Sequence, residues 1–87
     1  MVIWKYELCI KDTQQVEMPY MAEILSVDNQ DGNLCLWAIG DPAMGMASRT
    51  IEIIGTGNFF VDKLPIIRKF IGTVIIKPFV WHVFERR

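Results

Sequence analysis

Apolar and polar residues alternate along most of the chain with a period of two. Val2, Trp4, Tyr6, Leu8 and Ile10 interleave with Ile3, Lys5, Glu7, Cys9 and Lys11, the pattern of a strand that buries one face. Asp12-Thr13-Gln14 can turn the chain, and Gln15 to Met18 returns as a short strand ended by Pro19, so these two strands are expected to form a hairpin. Ala22 to Asn29 alternates again. Gln30-Asp31-Gly32-Asn33 follows, and its Asp-Gly pair supplies the positive φ values of a tight hairpin turn into a return strand over Leu34 to Ile39.

Gly40 to Ser48 holds Pro42, two glycines and no period, and reads as a loop. Arg49 to Ile54 resumes the alternation until Gly55-Thr56-Gly57-Asn58 interrupts it. Phe59 to Ile67 is apolar but contains Pro65, which predicts a packed connection with room for one helical turn before the proline. Arg68 to Ile76 is a sixth strand with apolar residues on both faces, as suits a central or interface strand. Lys77-Pro78 turns the chain, and Phe79 to Glu85 closes as a seventh. No stretch has a 3.6-residue apolar period of helix length. The fold class is therefore mainly β, a small antiparallel sheet of about seven short strands curled into a barrel or two-layer sandwich.

Composition adds an expectation about assembly. The 87 residues allow one domain, residues 1–87, and a chain of this length buries only ~60% of its unfolded surface. Yet 52% of the residues are hydrophobic and 22% charged. That is more apolar material than a small sheet can hide, so a homo-oligomer is expected. No apolar run approaches the ~20 residues that span a bilayer. Charges at Lys5, Glu7, Lys11 and Asp12 stand where a signal peptide needs its apolar centre, and the expected location is the cytoplasm.

A formal net charge of −1 argues against general nucleic-acid binding, which needs a basic surface. The charge is unevenly spread. Residues 1–62 carry three basic and nine acidic side chains, whereas residues 63–87 carry six basic ones against Glu85 alone. Two readings stay open: a basic C-terminal hairpin that pairs with acidic strands of the same domain, and an anion site built from the last strands.

Catalytic chemistry finds little support. Cys9 and Cys35 lie in apolar strand-like stretches, where buried thiols are the default. With one histidine and no CxxC or HxxxH spacing, neither a metal site nor a bound cofactor is expected. His82 sits between Trp81 and Val83 with no serine or cysteine nearby in sequence, so it reads as a hydrogen-bonded structural residue and no catalytic residue is assigned. The acidic residues are spread singly over turns and expected solvent faces.

The distinctive short motif is Gly55-Thr56-Gly57-Asn58. Its glycines allow backbone N–H groups to approach a ligand or form an anion-binding nest, and Asn58 can read an amide or base edge; the bland reading is a turn or bulge with positive φ. Trp37 and Trp81 can stack a flat ring, though strand tryptophans are also ordinary core. Arg49, Arg68 and Lys69 are the cations expected to meet the ligand's charge. Six residues of extended chain separate Arg49 from Gly55 by ~20 Å, so an arginine beside that turn has to come from a neighbouring strand or subunit.

Ile3-Trp4-Lys5-Tyr6, Met18-Pro19, Ile24-Leu25-Ser26-Val27, Leu36-Trp37-Ala38 with Asp41-Pro42, Gly55-Thr56-Gly57, Ile71-Gly72-Thr73-Val74 and Val80-Trp81-His82-Val83-Phe84-Glu85 stand in this order. The order resembles a family of small uncharacterised proteins of tailed bacteriophages and prophages, over nearly the whole chain. The apolar stretch Phe59 to Ile67 departs from the more polar segment of that family. The resemblance implies a viral accessory protein, expected to be a non-enzymatic counter-defence protein that sequesters a small anionic, nucleotide-type immune signal in pockets of an oligomer. The alternatives are an inhibitor that binds a host defence protein through an exposed apolar β surface, or a virion or assembly component.

Overall fold

The computed structural model describes residues 1–59 and 67–87. Among these residues there are seven strands: β1 (Val2–Glu7), β2 (Thr13–Pro19), β3 (Glu23–Gln30), β4 (Asn33–Gly40), β5 (Met46–Gly55), β6 (Arg68–Ile76) and β7 (Phe79–Arg86). They form two antiparallel sheets, in the orders β1-β4-β3 and β2-β5-β7-β6. The expected β fold is therefore a two-layer sandwich rather than a closed barrel. Among the described residues the only helical element is the 3-10 turn Pro42–Met44, capped by the Asp41 side chain, which accepts from Ala43 N at 2.9 Å. No described helix is long and apolar enough to cross a membrane.

The alternation chooses the faces. Ladder partners share a face of their sheet, so Tyr6 with Leu36, Ile24 with Ala38, and Val27 with Leu36 turn inward from one sheet. Ile53 with Val83 and Val74 with Trp81 turn inward from the other. Met18, Leu36, Ala38, Ile51 and Val83 are fully buried between them. The hairpin between β3 and β4 turns on Asp31 (φ 54°) and Gly32 (φ 86°), the pair of positive φ values that a two-residue type I′ turn requires. Gly32 N donates to Asn29 Oδ1 at 2.8 Å and fastens it. A second two-residue turn, Lys77–Pro78, joins β6 to β7; its peptide bond is cis.

Four expectations need correction. The first two strands do not form a hairpin: β1 pairs with β4 and β2 with β5. Leu8, just past the end of β1, is in the core as the apolar face predicts and donates its N–H to Leu34 O at 2.8 Å. The chain then bends through Cys9–Asp12 into the second sheet, and Gln14 clasps the bend with bonds to Cys9 O (2.6 Å) and from Cys9 N (3.1 Å). Cys9, expected to be buried, is consequently exposed, whereas Cys35 is buried. The loop expected over Gly40 to Ser48 is shorter, because Met46, Ala47 and Ser48 pair with Pro19, Met18 and Glu17 and open β5. Finally, Glu52 and Glu85 are buried rather than spread over solvent faces. The helical turn expected before Pro65 lies outside the described residues.

The sandwich closes where β3 and β6 lie side by side. Asn29 Nδ2 donates to Ile75 O at 3.2 Å, and a Cβ on Gly72 would come within 2.9 Å of Val27 Cγ2, so only glycine allows this approach. Each of these strands carries a register shift, between Ile24 and Ser26 on β3 and between Phe70 and Gly72 on β6.

Candidate functional site

Strand β2 begins at Thr13, opposite Glu52, so among the described residues Ile53 to Gly55 of β5 have no strand partner on that side; Ile53 N is held by Asp12 O at 3.1 Å. Around this open edge is a cleft of about 600 Å³, within the ~300–1,000 Å³ usual for small-molecule sites. Gly55, Asn58, Arg68 and Trp81 line it together with Lys11, Asp12, Glu52 and Arg86. Four of the residues singled out from sequence therefore come together.

The turn after β5 forms the cleft's wall. Thr56 N donates to Val80 O and Asn58 N to Gly55 O, each at 3.0 Å, and Gly57 has φ 82°. The bland reading of a turn with positive φ thus describes the backbone, while Asn58 and Trp81 close over Gly55. A Cβ at Gly55 would lie 2.5 Å from Asn58 Nδ2 and 3.0 Å from Trp81 Cζ3. Thr56 points away from the cleft to His82: its Oγ1 is 2.6 Å from Nε2, and Thr73 Oγ1 is 3.0 Å from Nδ1. A neutral imidazole has one donor and one acceptor nitrogen, and hydroxyls can answer both. His82 therefore ties the turn to β6 and β7. Sequence reading missed these threonines because the ladder, not sequence proximity, brings them to His82: Thr73 is its register partner across β6 and β7.

The arginines are engaged. Arg68 Nε donates to Glu52 Oε1 at 2.6 Å and Nη2 to Oε2 at 3.2 Å. Arg49 grips Glu85 through Nε to Oε2 and Nη2 to Oε1 (3.0 Å), and Nη1 donates to Ala22 O at 2.8 Å. Hydrogen bonding to Glu85 raises the Arg49 pKa further above its ordinary value, against the opposing effect of burial. The Arg68–Glu52 pair follows the first reading of the charge split, a cation of the C-terminal hairpin on an acid of an earlier strand, whereas Arg49–Glu85 runs the other way and joins a cation of the acidic segment to the one acid of the basic segment. The two pairs lie on opposite faces of the sheet, since Arg49 shares the inward face of Ile51 whereas Arg68 meets the outward-facing Glu52.

The remaining residues lie elsewhere. Arg49 and Lys69 border a second cleft of about 470 Å³ with Arg87, Glu23 and Glu85. Trp37 pairs with Lys5 and Ser26 on the outward face of the three-stranded sheet and cannot share a ligand with Trp81. Lys11 and Arg86, which sequence reading did not single out, complete the cationic rim of the first cleft; a doublet at the end of a chain carries no signal of where it folds. No group of three or more His, Cys, Asp or Glu side chains suited to a metal ion occurs among the described residues.

No curated protein and no solved structure matches the chain. A family model for a domain of unknown function, DUF7352, matches residues 1–87, and the chain belongs to that family.

Proposed function

We propose that this domain is a non-catalytic binding protein that holds a small anionic ligand of nucleotide type in the cleft beside the Gly55–Asn58 turn. The observation that carries the reading is the convergence of a flat aromatic (Trp81), an amide reader (Asn58) and three cations (Lys11, Arg68, Arg86) on one cleft. Glu52 neutralises Arg68 and fixes its guanidinium, so the ligand's charge falls to Lys11 and Arg86, which have no partner among the described residues. The resemblance to phage proteins supplies the context: an accessory protein that sequesters a host immune signal in the cytoplasm. Incubating the purified protein in an immune-activated bacterial lysate, repurifying it and heating it should release a nucleotide identifiable by mass spectrometry. Release of no small molecule, with a host protein co-purified instead, would overturn the reading.

A second reading is an inhibitor that docks on a host protein through an apolar β surface. Its support is the exposure of Phe70 (54%) and Ile75 (59%) on the outward face of β6, where Phe70 packs edge-on against Phe84.

A further inference from the structure

We propose that β1 is the contact strand of a two-fold homodimer, in which the free edges of two copies pair antiparallel and join the three-stranded sheets into one of six strands. The inference is independent of what the cleft binds. Among the described residues the two sheets have four edge strands, β1, β3, β2 and β6, and edges invite pairing unless something blunts them. Three are blunted. β3 and β6 each carry a register shift and lie against one another, with Asn29 bonded to Ile75 O. β2 presents Gln15 and Glu17 to solvent and ends in Pro19. β1 has no proline, glycine or bulge, and its register runs unbroken from Val2 opposite Gly40 to Glu7 opposite Cys35. Val2 and Ile3 are exposed on it. Lys5, the residue type that would protect an edge, reaches back over its own sheet to Gln30 Oε1 at 2.6 Å.

Register follows from hydrogen-bond direction and charge. Leu8 N points at Leu34, so the backbone groups of Trp4, Tyr6 and Leu8 face β4, and those of Ile3, Lys5 and Glu7 face the free side. A two-fold axis through Tyr6 sets Lys5 opposite Glu7 of the second copy, and Glu7 opposite its Lys5, as hydrogen-bonded pairs. Trp4 then meets Leu8 of the second copy on the inward face. An axis through Lys5 would oppose two lysines, and one through Trp4 would oppose lysine to isoleucine, so cross-strand charge favours the Tyr6 axis.

Light scattering on the full chain at micromolar concentration tests this. The wild type should weigh twice 10.1 kDa. Lys5→Glu and Glu7→Lys each place like charges together twice by symmetry and should weaken dimerisation about tenfold. The double variant K5E/E7K should restore the dimer, and all three should keep the wild-type circular dichroism. A wild-type mass of 10.1 kDa, single variants that dimerise as well as the wild type, or a double variant that stays dissociated would each overturn the proposal.

Discussion

Glu52 and Glu85 lose their water on folding, and each recovers two charge-assisted bonds from one arginine. Removing the arginine leaves a buried carboxylate without its counter-ion, a change that costs about 3–5 kcal/mol in buried pairs. Arg49→Ala and Arg68→Ala are therefore expected to destabilise the fold by about 3 kcal/mol, read from urea unfolding. Lys69→Ala, at a side chain exposed to solvent, should change stability by less than about 0.5 kcal/mol. Alkaline pH acts in a predictable direction. Burial raises the Tyr6 pKa, and hydrogen bonding to Glu85 raises that of Arg49, each above its ordinary value. Both groups have folded values above their unfolded ones, so their stabilising effect is complete at neutral pH and is lost as pH climbs, first for Tyr6 above about pH 10. Melting temperature should fall on that side, and a melting temperature that rises from pH 9 to 11 would contradict the assignment.

The elements show what local pattern reveals and what it hides. The β3–β4 turn was legible because Asp31-Gly32 is itself the turn chemistry, and β6 was legible to the residue because both its ends, Arg68 and Ile76, adjoin a break in the pattern. The crossing from β1 to β2 was hidden. A hairpin and a passage between sheets look alike over Leu8–Asp12, and the choice is made by β4 and β5, which pair with the two strands from a distance. The same non-locality hid the partners of Arg49 and His82, whereas the gathering of Gly55, Asn58 and Trp81 followed from a turn beside its own ladder neighbour. Gly72 tests the closure of the sandwich. Gly72→Ala drives a methyl into Val27, and overpacking of this kind costs about 1–3 kcal/mol. Thermal unfolding would measure it, and a neutral outcome would mean that β3 and β6 are not held together so closely. His82→Ala removes the tie between Thr56 and Thr73 and should cost about 1 kcal/mol while keeping the sheet register, as amide exchange along β7 would report.

At the scale of the molecule, the sandwich is a slab of 41 × 35 × 16 Å, with a single layer of core and two broad outer faces. A slab this thin presents its ligand groups at sheet ends and edges, and both clefts are found there. The cations singled out from sequence divide between the two, so they do not contribute equally to one ligand. Calorimetric titration of linear and cyclic nucleotides into the wild type and three variants tests that division most directly. The wild type should bind one of them with measurable heat. Arg86→Ala and Lys11→Ala should each weaken binding about tenfold to a hundredfold, the value of a charge-assisted hydrogen bond of ~1.5–3 kcal/mol, and Lys69→Ala should bind as the wild type does. A folded protein that gives no heat with any nucleotide, or one in which Lys69→Ala weakens binding while Arg86→Ala does not, would contradict the account.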